Sequence, residues 1–156
     1  MAKRPKIPKC IIGWREWCAL PDFALPGVLA KIDTGAKTSA LHAFDIKPSS
    51  RGGDWLQFSV HPIQRRKHPV YVCEAECIDM RAITSSNGTS EERPVVQTEL
   101  VIGERRFATE ITLTNRDEMG FRMLIGRQSL NHRFIVDPAL SYCCGDQDER
   151  LLYPAA

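Results

Sequence analysis

The chain has 156 residues, of which 43% are hydrophobic, and its formal net charge is +2. A chain of this length can bury about 70% of its unfolded surface, so we expect one compact domain over residues 10–156. Four basic residues lie within residues 1–9, and the remainder of the chain is nearly neutral. We therefore expect a basic flexible tail at residues 1–9 and no nucleic-acid binding.

No segment reaches the length of about eighteen consecutive apolar residues that a membrane-spanning helix requires. The apolar residues after the basic start are interrupted by Arg15, Glu16 and Asp22 before they form a signal-like run. The sequence therefore predicts a cytoplasmic protein with no membrane segment and with its six cysteines reduced.

Short runs rich in β-branched and aromatic residues alternate with turn residues along the chain. Few windows keep a helical period for three turns, so the pattern predicts an all-β fold. We expect strands at residues 10–14, 28–32, 40–46, 55–61, 70–78, 95–102, 106–113, 122–125 and 134–136. One short C-terminal helix is predicted at residues 128–132.

The most informative motif is Asp33-Thr34-Gly35, which places one carboxylate on a sharp glycine turn after the predicted strand 28–32. This tripeptide is the half-site of an aspartic protease. One carboxylate cannot act both as general base toward water and as general acid toward the leaving group, so the chemistry requires two that share a proton. Taken alone, the tripeptide is also compatible with an ordinary turn closed by an Asx-type hydrogen bond.

A second run, Met123-Leu124-Ile125-Gly126-Arg127, lies about ninety residues downstream. With residues 12–17, 33–43, 113–117 and 136–138, the block 120–127 that contains it resembles a bacterial retropepsin-like family that is also labelled ATP-dependent zinc protease. Retropepsins are single-lobed aspartic proteases that build one active site across a homodimer. The resemblance implies a closed retropepsin-like (acid protease) barrel and a homodimer that uses one Asp33 from each subunit.

The resemblance also implies roles for the residues around this carboxylate. The strand that ends at Gly126 and Arg127 crosses behind the catalytic turn. Thr34 braces the facing loop with its hydroxyl, and Gly35 lets the substrate backbone pass close to the turn.

A retropepsin also needs a flap, which is a hairpin that closes over the substrate and excludes water. The segment 81–96 is our candidate, because turn-forming polar residues lie between two apolar stretches. The loop at residues 63–69 is the rival candidate.

One departure from the viral pattern bears on the choice of substrate. Viral retropepsins place an acid two residues after the catalytic glycine and pair it with the arginine of the Gly-Arg strand, whereas this chain has Lys37 there. Lys37 and Arg127 would then be neighbouring cations that a substrate carboxylate could bind, joined by Arg81, Arg93 or Arg122. The sequence thus predicts a cleft for acidic or glutamate-tailed polypeptides. The alternative is neutralisation by an internal acid: Glu91, Glu92, Asp117 or Glu118.

The family label names ATP and zinc, and the sequence motifs support neither. The chain has no Gly-x-x-x-x-Gly-Lys-Ser/Thr loop for phosphates and no His-Glu-x-x-His pair for zinc. Cys73, Cys77, Cys143 and Cys144 could supply four thiolates, although their spacing favours ordinary buried side chains. We expect no cofactor and no metal ligand.

Three functions remain open. The first is a homodimeric aspartic endopeptidase acting on acidic or glutamate-tailed proteins. The second is a non-catalytic regulator or partner of an ATP-grasp glutamate ligase, because the family is associated with ligases that add glutamates to a ribosomal protein. The third is a zinc-dependent protease, as the label states. Loss of function in Asp33→Asn separates the first from the second, and a chelator separates the first from the third.

Overall fold

The computed structural model describes residues 8–85, 87–116 and 120–154. The strands are β1 (Cys10–Ile12), β2 (Arg15–Leu20), β3 (Leu25–Ile32), β4 (Ser39–His42), β5 (Phe44–Pro48), β6 (Trp55–Val60), β7 (Tyr71–Thr84), β8 (Ser90–Ile102), β9 (Arg105–Thr114), β10 (Met123–Ile125) and β11 (Phe134–Val136). Two one-turn helices, α1 (Arg127–Leu130) and α2 (Glu149–Leu152), and a 3₁₀ turn at Pro21–Phe23 accompany them. No helix in these ranges has the length and apolar character needed to cross a membrane.

Six of the strands close into a barrel. Around the barrel the order is β2, β3, β10, β4, β9 and β8, and β8 pairs back with β2 at Cys18↔Ile102 and Ala19↔Val101. Strands β7, β6 and β5 extend the sheet beyond β8, while β1 and β11 form a separate parallel pair. The predicted all-β closed barrel is confirmed.

The observed elements differ from the predicted ones at four places. Strand β2 was not predicted, because Arg15 and Glu16 interrupt its apolar pattern. Strands β7 and β8 extend further into the 81–96 segment, where each register pair from Arg81↔Arg93 to Thr84↔Ser90 includes a polar residue and the apolar signal is weak. The predicted strand 40–46 divides into β4 and β5 at the buried Ala43, and α2 follows the single predicted helix.

Strand β2 contains a buried acid, Glu16, which is tolerated because backbone groups hydrogen-bond to its carboxylate. Its side chain is fully buried. Atom Oε2 accepts hydrogen bonds from the backbone N–H groups of Gly13 at 2.8 Å and Cys143 at 2.9 Å, and Oε1 accepts one from Cys144 at 3.0 Å. Burial, followed by the negative charge of Glu16, raises the pKa of the Cys144 thiol to about 11. The carboxylate therefore fastens β2 to the chain that follows β11.

Strand β10 lies between β3 and β4, although β3 and β4 are consecutive in the sequence. It runs parallel to β3 and antiparallel to β4. Met123 and Ile125 are buried in the core, while Leu124 points to the opposite face. The loop 33–38 that joins β3 to β4 must therefore pass over the end of β10.

We expect Gly126→Ala to lower the free energy of unfolding by about 3 kcal/mol, because the residue is packed against backbone that cannot move aside. A Cβ at Gly126 would lie 2.7 Å from the carbonyl carbon of Thr38 and 2.9 Å from the carbonyl oxygen of Ala36. Urea unfolding measures the change. Gly27→Ala is the matched control, because the Cβ there would meet the movable end of the Leu152 side chain. Equal stability of the two variants would contradict the prediction.

We expect Glu16→Gln to lower the free energy of unfolding by about 2 kcal/mol, because the amide NH₂ would face a backbone donor that the carboxylate now satisfies. Urea unfolding of the variant and of Glu104→Gln, which changes an exposed glutamate, provides the comparison. Changes of the same size in both variants would show that the buried hydrogen bonds of Glu16 do not stabilise the fold.

Candidate active site

Asp33 follows directly after β3, and its backbone and side chain are both held in place. Its N–H donates to the carbonyl oxygen of Ile125 at 2.9 Å, and the N–H of Ala36 donates to its carbonyl oxygen at 3.2 Å. The N–H of Gly35 donates to Oδ1 of the carboxylate at 2.9 Å. A Cβ on Gly35 would lie 3.1 Å from that oxygen, so glycine keeps the space in which the carboxylate sits.

The far side of the loop is held by the start of α1. The N–H of Arg127 donates to the carbonyl oxygen of Ala36 at 2.8 Å, and the N–H of Gln128 donates to that of Lys37 at 3.0 Å. The Arg127 side chain reaches back, and its Nη1 donates to the carbonyl oxygen of Thr34 at 3.0 Å. The loop is thus fixed to the β10–α1 junction along its length.

A chain of hydrogen bonds between buried hydroxyl groups stabilises the β10–α1 junction. Ser39 Oγ accepts a hydrogen bond from the N–H of Gly126 at 3.0 Å and lies 2.7 Å from Ser129 Oγ. Ser129 Oγ lies 2.8 Å from Thr109 Oγ1, which extends the chain of hydrogen bonds to β9. The sequence did not reveal this network, because its three hydroxyl residues are far apart in the chain and carry no motif.

A cavity of about 480 Å³ opens beside Asp33. Its lining comes from the loop 33–38, from Ala40 and Leu124 on the adjoining strands, and from the end of the β7–β8 hairpin. Among the described residues that line it, Asp33 is the single carboxylate, and the cations are Arg93 and Arg116. The site therefore combines one fixed acid with a basic wall.

The hairpin over this cavity contains the segment predicted as the flap. Ile83, Thr84, Ser85 and Asn87 line the cavity, and the N–H of Ser85 closes the tip by donating to the carbonyl oxygen of Thr89 at 2.9 Å. The rival loop 63–69 contributes no lining residue among those described. Position 86 lies outside the described residues.

Three of the predicted substrate-binding cations lie near the catalytic loop or the cavity. Arg93 lines the cavity, and Arg127 contacts the loop, as described above. Lys37 is an exposed residue of the same loop, and the lining residues include neither Lys37 nor Arg127. Asp117 and Glu118, which were considered as neutralising acids, lie outside the described residues.

The structure does not bring Arg81 and Arg122 to the cavity. Arg81 is paired with two carboxylates on the extended sheet, Glu110 at 2.6 Å and Asp79 at 2.9 Å. Arg122 is buried, and it donates to the carbonyl oxygens of Ile63 and Arg66 at 3.3 and 3.1 Å. These internal partners correct the expectation that both arginines join the cleft.

Sequence analysis missed Arg116 and assigned Glu91 only a possible neutralising role. Arg116 Nε lies 2.9 Å from Glu91 Oε2, and Arg93 Nε lies 3.6 Å from Glu91 Oε1. The hydroxyl of Thr114 donates to Glu91 Oε1 at 2.9 Å. Glu91 therefore contacts two cavity arginines. An arginine two residues past the end of a strand carries no signal that would have identified this pairing.

The cysteines considered as zinc ligands do not form a cluster in the part of the chain that the structure describes. No group of three or more His, Cys, Asp or Glu side chains there could hold a metal ion. Burial raises the pKa of the Cys73 thiol to about 11, and the Cys77 thiol lies 3.1 Å from the carbonyl oxygen of Asp79. Neither of these two thiols is placed as a metal ligand by its surroundings.

Curated relatives of the chain carry the name of a ligase. The chain is 44% identical over 142 residues to the "Probable alpha-L-glutamate ligase" of Shewanella pealeana. The aligned region covers 90% of this chain and 31% of that protein. A protein of the same name from Desulfotalea psychrophila is 43% identical over 147 residues, covering 94% of this chain and 32% of that protein. The chain thus spans about a third of the length of these relatives.

A solved structure and a family model also match the chain. A Legionella pneumophila protein of unknown function matches with a TM-score of 0.69 and 30% identity, covering 88% of this chain and 99% of that one. Residues 11–147 match the family model described as "Retropepsin-like aspartic endopeptidase RimB". The chain, with its Asp-Thr-Gly turn held against β10, therefore belongs to the RimB-like family of retropepsin-like proteins.

Proposed function

We propose that this protein is an aspartic endopeptidase that works as a cytoplasmic homodimer and hydrolyses peptide bonds in acidic or glutamate-tailed proteins. The observation that carries the proposal is the position of Asp33, whose carboxylate is fixed by the Gly35 N–H at the wall of a cavity beneath a hairpin. Membership of the RimB-like family supports the same reaction.

The need for a second carboxylate supports the homodimer. Asp33 is the single acid among the described residues lining the cavity, and the reaction requires a pair. Thr34 and Gly35 are exposed, so the turn is accessible to the same turn of a second copy. In a twofold dimer, the two turns meet at the symmetry axis.

The paired carboxylates would share one proton, because two like charges at close range resist ionising together. The ionised Asp33 removes a proton from water, which attacks the peptide carbonyl carbon. The protonated Asp33 of the other subunit donates its proton as the carbonyl oxygen gains charge, and proton transfer to the leaving nitrogen then allows the C–N bond to break. The hairpin tip shields this exchange from bulk water.

Charge in the cavity and the names of the relatives support an acidic substrate. Arg93 and Arg116 both line the cavity, and Glu91 is shared between them. The curated relatives are named as glutamate ligases and are about three times as long as the matching region. A ligase of that kind is therefore a candidate partner and a candidate source of glutamate-tailed substrate. A non-catalytic role as a binding partner of such a ligase is the second candidate function.

Asp33→Asn is expected to lower cleavage of a glutamate-tailed peptide by about 10²–10⁴-fold, because the amide cannot accept the proton from water. Mass spectrometry of the products measures the loss, with Asp54→Asn as a control that changes an exposed aspartate. Cleavage by the wild type should be unchanged by a chelator. Absence of cleavage by both the wild type and the Asp33→Asn variant would favour the binding role, and loss of wild-type cleavage in the chelator would favour a metal-dependent protease.

A mixed dimer tests whether both subunits supply the acid. Wild-type and Asp33→Asn chains with different tags are co-expressed and purified through both tags in succession. We expect a two-tag species whose cleavage is no faster than that of the variant alone, because its dyad lacks one carboxylate. A two-tag species with about half the activity of the wild-type dimer would mean that each subunit works alone. Failure to recover any two-tag species would contradict the homodimer.

A further inference from the structure

Two arginines belong to the lining of the cavity. Arg93 and Arg116 both line it, and Glu91 contacts both guanidinium groups. A guanidinium group that lines a partly enclosed cavity attracts negative charge from a bound polypeptide, because screening by salt is reduced there.

The two arginines differ in accessibility. The Arg93 side chain is 3% exposed, whereas the Arg116 side chain is 41% exposed. Arg93 is therefore enclosed by the protein, while Arg116 can contact both the cavity and solvent. A ligand that enters the cavity can reach the Arg116 guanidinium.

Arg116 is also held in position at two points. Its backbone N–H donates to Thr114 Oγ1 at 3.1 Å, and the same hydroxyl donates to Glu91 Oε1. The other oxygen of Glu91 lies beside Arg116 Nε, the inner nitrogen of the guanidinium. Contact at this inner nitrogen is compatible with a ligand that binds the two terminal nitrogens, Nη1 and Nη2.

The geometry points to Arg116 as a specificity-determining residue that binds one carboxylate side chain of the substrate through its terminal nitrogens, with Glu91 as its positioning residue. This inference rests on the proposed peptidase function and deepens it. The planar guanidinium matches carboxylate and phosphate groups alike. Asp33 lines the same cavity, and its negative charge opposes a doubly charged phosphate more strongly than a singly charged carboxylate.

The test uses the Asp33→Asn protein as the parent, so that binding is measured without turnover. A single glutamate is moved position by position through an otherwise neutral peptide, and each peptide is compared with its glutamine counterpart by isothermal titration calorimetry. We expect one position at which glutamate binds about tenfold more tightly than glutamine. Arg116→Gln should abolish that preference, so that the glutamate and glutamine peptides bind with equal affinity.

Two further variants distinguish recognition from a general effect of charge or structure. Arg106→Gln removes an exposed arginine that lies 3.0 Å from Glu99, away from the cavity, and should keep the tenfold preference. Glu91→Gln should spread the preference over neighbouring peptide positions, because the guanidinium is then free to turn. Circular dichroism confirms that each variant is folded.

Several results would overturn the inference. They are an absence of glutamate preference in the parent, a preference that survives Arg116→Gln, and, in the protein with Asp33 intact, tighter binding of a phosphoserine peptide than of the glutamate peptide. A separate cleavage assay of the protein with Asp33 intact tests the proposed activity. If that protein cleaves nothing while the Arg116-dependent preference persists, the peptidase function fails and the assignment of Arg116 stands.

Discussion

The insertion of β10 between β3 and β4 is the constraint on which the site depends. It separates two strands that follow each other in the chain, so the loop 33–38 must pass over the end of β10. Backbone hydrogen bonds from Asp33 to β10 and from Arg127 to the loop then fix that loop without using its side chains. Gly126 makes the crossing possible, because any side chain there would collide with the loop backbone. The carboxylate is thus positioned mainly by sheet topology.

Polar groups inside the barrel follow a consistent rule, since the best-buried examples are tied to backbone or to each other. Glu16 accepts three backbone N–H groups, and the hydroxyl of Ser39 binds the Gly126 N–H beside the Ser129 hydroxyl. Unsatisfied buried groups of this kind would cost about 1–3 kcal/mol each. Arg122 obeys the same rule through its carbonyl partners. An arginine with such internal contacts has fewer N–H groups left to donate to a substrate. Arg122 differs in this respect from the more exposed Arg116.

The sequence was sufficient for the all-β class and for the turn at Asp33, because strand alternation and an Asp-Thr-Gly turn are local signals. The closed barrel was implied by the family resemblance. The sequence was insufficient for β2, whose acid is buried only because distant backbone at residues 143 and 144 supplies donors. It also could not separate Arg93 from Arg81. Both lie on the β7–β8 hairpin and are register partners, yet one lines the cavity and the other is paired on the sheet. That difference depends on contacts with Glu110 and Glu91, which no local pattern encodes.

The group proposed for catalysis and the groups proposed to select the substrate belong to different elements of this fold. The carboxylate belongs to the β3–β4 loop, whose geometry is set by β10, whereas the basic wall belongs to β8 and to the residues after β9. Contacts between Glu91, Thr114 and Arg116 hold that wall together without involving the catalytic loop. Substitutions in the wall can therefore alter charge recognition while the loop stays fixed. Under the proposed function, such independence would let the barrel keep its Asp33 turn while the charge of the accepted polypeptide changes.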